Sequence, residues 1–198
     1  VEETTICKSL YVSNYYNTTS KSFDSNYAVL IYYNNTTKGN PDNSSSSLIA
    51  YNTTSNTTTG PGGPITAKTN LPTTSQWSNV SLYKSSRQLL NELNSTTDGE
   101  YTFPTFSYVG YAARLVTVQE LNSACNITIG QANSLGLLDG CNYLLENTKS
   151  SSNNMGTYGY VTETPDAINV WRDRGNWRDL DNYSATNAIE HGVRPVIE

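Results

Sequence analysis

A chain of 198 residues with a net charge of −5 can bury one large core or two small ones, and it lacks the basic stripe that nucleic-acid binding requires. Its acidity also disfavours anionic membrane surfaces, and no apolar run approaches the roughly 20 residues of a spanning helix. Only 36% of residues are hydrophobic and 15% charged, whereas Tyr alone supplies 15 residues. Asn, Ser, Thr and Tyr hydrogen-bond without charge and favour strands, turns and loops, so the composition points to a β-rich, loop-heavy domain outside a cell.

Residues 1–25 read as an amino-terminal extension or linking strand, with Leu10-Tyr11-Val12 extended. The start, Val1-Glu2-Glu3-Thr4-Thr5, lacks the basic and apolar regions of a signal peptide; for an exported protein that signal has been removed or lies outside this sequence. The domain proper is expected at 26–198. Asn26–Tyr33 is the strongest strand signal of the first half, β-branched and aromatic between polar turns. Residues 34–64 form a polar loop, dense in Asn, Ser and Thr and broken by Gly60-Pro61-Gly62-Gly63-Pro64; a solvated connection is expected there. Leu82, Leu89, Leu90 and Leu93 recur with helical period, so the spacing predicts a helix over 84–93 capped by Ser85 or Ser86. Tyr101–Tyr108 alternates aromatic and small polar residues, with Pro104 restricting it to an edge or loop. Thr117-Val-Gln-Glu120 is a capping box opening a second helix, whose buried face continues through Leu121 and Cys125. Strands then follow at Gly159–Thr162, Ala167–Trp171 and Gly192–Ile197, with a turn at Arg174-Gly175-Asn176. The fold class is α+β.

The chain has three cysteines, an odd number. Cys125 and Cys141 lie 16 positions apart across Gly-rich sequence, and a disulfide closing such a loop stabilises by about 3 kcal/mol. Cys7 is left as a free thiol, a link to another chain, or an alternative mate.

Ala113-Arg-Leu-Val-Thr-Val-Gln-Glu120, the two cysteines, an indole-bearing strand and the closing Gly192-Val-Arg-Pro-Val-Ile197 together resemble bacterial C-type-lectin-like surface domains, including pilin-like surface proteins and the variable proteins of diversity-generating retroelements. Their architecture is related to the formylglycine-generating-enzyme fold. Gly159-Tyr-Val-Thr-Glu-Thr-Pro165 stands where such proteins often carry Gly-Tyr-Trp-Thr-Ser-Thr-Pro, with Val161 replacing the Trp. The resemblance covers 112–198 and extends more loosely over 26–111. It implies a C-type-lectin-like fold, a twisted antiparallel sheet with two short helices and paired terminal strands. It also implies an exposed ligand face between the Thr-Pro landmark and the closing strand.

That region is where charge concentrates: residues 163–198 hold 11 of the chain's 29 charges. Every basic residue there is Arg, interleaved with Trp171, Trp177 and Tyr183, the residue types that dominate binding hot spots. The candidate ligand-binding residues are Asp166, Asn169, Trp171, Arg172, Arg174, Trp177, Arg178, Asp181 and Tyr183; a solvated, salt-bridged loop would carry the same charges. Arg194 is expected in a buried ion pair, and Val170 with one tryptophan in the core. Asp173, Asp179 and Asp181 offer oxygens to Ca²⁺, but without EF-hand spacing or a sugar-binding tripeptide, so no cofactor is expected. One His and three scattered Cys do not make a zinc site.

No enzyme is expected. His191 is the single histidine, no Gly-x-Ser-x-Gly elbow occurs, and residues 142–198 lack the paired cysteines of formylglycine-generating catalysis. Ten Asn-x-Ser/Thr sequons occur; if they carry glycans, Asn34–Thr59 is the expected carrier. The function expected is an extracellular, cell-surface adhesion or ligand-binding module with a protein or glycan ligand, without nucleic acid or direct membrane insertion. The alternative is a structural subunit of a filament or surface layer, assembling with copies of itself by strand donation or through Cys7.

Overall fold

Within the β-branched and aromatic run expected as a strand, Tyr27–Tyr32 forms one, and it occupies the middle of a sheet. The computed structural model describes residues 7–12, 15–17, 22–24, 27–41, 47–54, 60–125, 142–144, 159–174, 179–189 and 191–198, without the side chains of those up to residue 28 and of 142, 174 and 179. In chain order the elements are β1 (Cys7–Val12), β2 (Tyr15–Asn17), β3 (Ser22–Asp24), β4 (Tyr27–Tyr32), β5 (Thr36–Thr37), β6 (Asn40–Pro41), β7 (Ser86–Gln88), β8 (Thr97–Asp98), β9 (Tyr101–Thr102) and β10 (Thr105–Ser107). Then come α1 (Val118–Cys125), β11 (Tyr160–Asp166), β12 (Asn169–Arg174), β13 (Asp179–Ser184) and β14 (Val196–Ile197). The architecture is mixed α and β, built of small antiparallel sheets.

β4 pairs antiparallel with β1, from Cys7↔Tyr32 to Val12↔Tyr27, and with β14 at Val196↔Ile31 and Ile197↔Leu30. Strand side chains alternate faces. Val29 and Ile31 are accordingly buried against Leu121 of α1 and Val196, while Leu30 is exposed. The segment before residue 26 therefore contributes a strand to the domain's own sheet.

The capping box forms as its sequence dictates. Thr117 Oγ1 accepts the Glu120 N–H at 3.1 Å, and Glu120 Oε2 accepts the Thr117 N–H at 2.9 Å, satisfying donors that a helix start otherwise leaves orphaned. The helix expected at 84–93 does not form. Ser86–Gln88 is instead β7, paired with β10 from Thr105↔Gln88 to Ser107↔Ser86. The leucine spacing misleads because the segment buries by twos: Arg87 and Leu89 point inward, whereas Leu93 is 72% exposed. Asn91 then closes a turn, its Oδ1 accepting the N–H groups of Leu93 and Ser95. Among the described residues α1 is therefore the single α-helix, against two expected.

The 34–64 stretch is also more ordered than a solvated connection. Asn34, Asn35, Thr36, Ala50, Tyr51 and Asn52 are buried. Lys38 and Gly39, with φ of 54° and 81°, turn a two-residue hairpin between β5 and β6. Gly39 is required twice over, since a Cβ there would lie 2.5 Å from Trp77 Nε1. Polar residues are buried here because the backbone and other side chains take their hydrogen bonds: Tyr51 OH donates to the Glu163 carbonyl at 2.9 Å, and Asn70 Nδ2 to that of Ser47 at 2.8 Å.

β11, β12 and β13 form a second three-stranded sheet. β11 runs between two hydrophobic clusters: Tyr160 enters the one under β4 and α1, while Val161 enters the one around Leu89, Phe106 and Leu115. Its register with β12 shifts between Val161 and Pro165, where proline has no N–H for the ladder. Thr162 spans the irregularity, its hydroxyl donating to the Trp171 carbonyl at 2.6 Å. Glu163, in the same stretch, enters a buried chain of charges. Its carboxylate takes Arg87, Arg87 and Arg114 both reach Glu198, and Arg114 takes Glu120. Five buried or nearly buried charges in alternation satisfy one another where a lone charge would be prohibitive. Arg194 is buried too, but its described hydrogen bonds go to backbone carbonyls of Tyr32, Tyr33, Tyr143 and Leu144. No helix among the described residues is long and apolar enough to cross a membrane.

Candidate ligand-binding face

The β12–β13 register sets Arg172 directly opposite Asp181. The guanidinium Nε lies 2.8 Å from Asp181 Oδ1, and the guanidinium carbon sits 4.1 Å from the centre of the Tyr183 ring. Arg172 is only 4% exposed, whereas Tyr183 is 37% exposed. The arginine therefore supports the tyrosine from within the protein and does not itself present charge to solvent. His191 lies edge-on to Tyr183, with the ring centres 6.3 Å apart. It is fully buried with no hydrogen-bond partner for either ring nitrogen among the described residues. Burial, aided by the Arg172 charge, holds it neutral with its pKa down at about 3.

A second group forms at the β11–β12 tip, where Asp166 pairs with Asn169 across the two-residue turn Ala167-Ile168. Ala167 has a φ of 46°, a conformation an L-residue other than Asn or Asp seldom adopts. Its N–H is fastened to Asp98 Oδ2 at 2.8 Å. Asp166 accepts the amide of exposed Asn182 from β13. Burial, then the nearby carboxylates of Glu92 and Asp98, raise the Asp166 pKa against the opposing effect of that amide. Trp171 rests against the first hydrophobic cluster, and its indole N–H donates to Glu92 Oε2 at 3.1 Å.

Of the sequence-selected residues, Arg172, Asp181 and Tyr183 thus make one contiguous stack, and Asp166, Asn169 and Trp171 belong to the tip. The Arg174 side chain, Trp177 and Arg178 lie outside the described residues. Val170 is in the core, as its sequence context implies. Glu92, Asp98 and Asn182 were not foreseen. Glu92 lies within the segment read as a helix and Asp98 follows it, and nothing local to them in sequence marks proximity to a hairpin roughly 70 residues later. Asn182 sits within the charged run but bears no charge itself. Cys125 is buried at the end of α1 and is disulfide-bonded; Cys141 and the Cys7 side chain lie outside the described residues.

Asp181 is committed to Arg172, the Asp179 side chain is not described, and no group of three or more His, Cys, Asp or Glu among the described residues is arranged to hold a metal ion. What the surface offers is an aromatic ring, amides and hydroxyls at Asn169, Asn182 and Ser184, and a partly exposed indole. Compared with protein-family models, with curated proteins and with solved structures, the chain matches none.

Proposed function

We propose that this chain is an exported, non-enzymatic module that binds a surface protein or a glycan through the β11–β12 tip and the outer strand β13. The observation that carries the reading is the stack of Tyr183 on Arg172, with Asp181 holding the guanidinium in place. A ring fixed in this way loses little freedom when it meets a ligand, and the amides and hydroxyls beside it supply adaptable hydrogen bonds. The low charge and high Tyr, Asn, Ser and Thr content support an extracellular, cell-surface setting. A C-type-lectin-like arrangement is supported by β4 pairing with the closing strand β14, by the capped helix packed on that sheet, and by the separate β11–β13 sheet. The reading requires no cofactor.

Its test is a glycan and protein array probed with the wild type, Tyr183→Ala, Asn169→Ala and Tyr83→Ala. Tyr83 is an exposed aromatic remote in sequence from this sheet. Loss of a central aromatic anchor costs about 2 kcal/mol or more, so Tyr183→Ala should lower affinity about 30-fold and Tyr83→Ala should leave it unchanged. Binding that survives both Tyr183→Ala and Asn169→Ala places the contact surface elsewhere.

A second reading, a filament or surface-layer subunit, draws on one observation. The sheet order β1–β4–β14 puts β1 at an edge, where the equivalent strand of a neighbour could pair in its place. Size-exclusion under non-reducing conditions separates the two: polymers or ladders support the subunit, a monomer the display module.

A further inference from the structure

The fold sorts the sequons into three kinds. Asn34, Asn35 and Asn52 are buried. The Asn35 amide donates to the Gly159 carbonyl at 3.2 Å, and the Asn52 amide to that of Pro61 at 2.5 Å. Asn52 Oδ1 meanwhile accepts both the N–H and the hydroxyl of Thr54, the third residue of its own sequon. Asn182 is exposed, but its amide is tied to Asp166. Asn79 and Asn94 are exposed, lie in turns, and have no side-chain hydrogen bond among the described residues. At Asn94, a φ of 62° and an N–H donated to the Asn91 carbonyl fix the turn. The Asn17 side chain and all of Asn43, Asn56 and Asn126 lie outside the described residues.

We propose that Asn79 and Asn94 are N-glycan attachment sites and that Asn34, Asn35 and Asn52 are closed to modification. In N-glycosylation the amide nitrogen attacks C1 of an oligosaccharide carried on a lipid pyrophosphate. The N–C1 bond forms, the C1–O bond to pyrophosphate breaks, the lipid pyrophosphate leaves, and the amide gives up one proton. The product needs solvent on the far side of the new bond. An amide packed beneath a carbonyl has none, so a chain glycosylated at Asn35 cannot seat that side chain under Gly159. This moves the expected carrier away from Asn34–Thr59 at each of its described sequons. It also separates two consequences for the proposed binding face, on which this last point rests. A glycan at Asn94 flanks Glu92 and Trp171, whereas one at Asn182 would stand beside Tyr183.

The protein is secreted from an N-glycosylating eukaryotic host, its folded fraction isolated by size and circular dichroism, and each sequon's occupancy read by mass spectrometry after enzymatic glycan release in heavy-oxygen water. Asn79 and Asn94 should be occupied, and Asn79→Gln and Asn94→Gln should each remove one glycan's mass. A glycan on Asn35 or Asn52 in the folded fraction overturns the proposal, as does finding Asn79 and Asn94 both bare. These occupancies are read without any ligand, so their outcome is independent of the array result.

Discussion

Arg87 meets Glu163, 76 residues away in sequence, with its guanidinium Nε 2.8 and 2.9 Å from the two carboxylate oxygens. Tyr108 adds its hydroxyl to the same carboxylate at 3.0 Å, and burial together with the Glu163 charge drives the Tyr108 pKa well up, keeping that hydroxyl protonated as a donor. Removing one member of such a pair leaves the other buried and uncompensated. Glu163→Gln should therefore lower unfolding free energy by about 3–5 kcal/mol in urea titrations. A double variant with Arg87→Met should recover part of that loss; a strictly additive double variant would show that the two residues act independently.

His191 makes stability depend on pH. Folded, its pKa is depressed to about 3 by burial and by Arg172; unfolded, it titrates near its ordinary value of about 6.5. Between those values the unfolded chain binds the extra proton, so stability is complete above pH 6.5 and falls as pH drops toward 3, by at most about 1.4 kcal/mol per pH unit from this group. His191→Leu should flatten the stability profile between pH 7 and 5. At lower pH Glu198 adds to the loss. Burial alone would raise its pKa, but Arg114 and Arg87 hold it below the usual range, so its contribution disappears as it protonates. An unchanged slope in His191→Leu would assign the acid sensitivity to other groups.

Ala167 occupies a left-handed conformation that costs a residue with a Cβ about 1–2 kcal/mol. Glycine is free of that strain but loses about 0.4–1 kcal/mol through the entropy of the unfolded chain. Ala167→Gly should accordingly stabilise by about 0.5–1 kcal/mol, seen as a higher midpoint in urea with an unchanged slope.

Thr117→Ala removes one half of the reciprocal cap on α1 and should cost about 1 kcal/mol. Glu120→Ala should cost distinctly more, because the same carboxylate also neutralises Arg114 at 2.9 and 2.5 Å. Equal losses in thermal or urea unfolding would reduce Glu120 to a capping residue alone.

Cys125 is proposed to pair with Cys141. Peptide mapping without reduction should recover those two residues in one cross-linked peptide and Cys7 as an alkylatable thiol. A Cys7–Cys125 peptide would overturn that pairing.

What could be read from the sequence was whatever depends on neighbours in the chain. Thr117 and Glu120 are three residues apart, so their reciprocal cap was visible in the letters. Tyr27–Tyr32 announced a strand through β-branched and aromatic side chains. The 84–93 segment was misread because its decisive contacts are distant: Arg87 is drawn inward by Glu163 and Glu198, and a strand that buries an arginine defeats a hydrophobic count. The same applies to Asn34–Asn52, where polarity suggested solvent but remote carbonyls and side chains took the hydrogen bonds. For the candidate face, Arg, Trp and Tyr drew attention to β12 and β13, which carry Trp171, Arg172 and Tyr183. Their division into an internal support, Arg172, and an exposed ring, Tyr183, follows from the β12–β13 register and from packing, which composition does not encode.

The position of β4 bears on how the molecule is made. Its two partners, Cys7–Val12 and Val196–Ile197, lie far apart in sequence, and Arg194 reaches the Tyr32 carbonyl across 162 residues. Loop closure of that length has to precede the contacts that reward it. During synthesis β4 and β1 can form a hairpin early, but the second edge of β4 stays open until Val196 and Ile197 have been made and released. Over that interval the open edge is available to the same strand of another chain. Yield should therefore fall with expression rate more steeply than the stability of the finished fold would suggest.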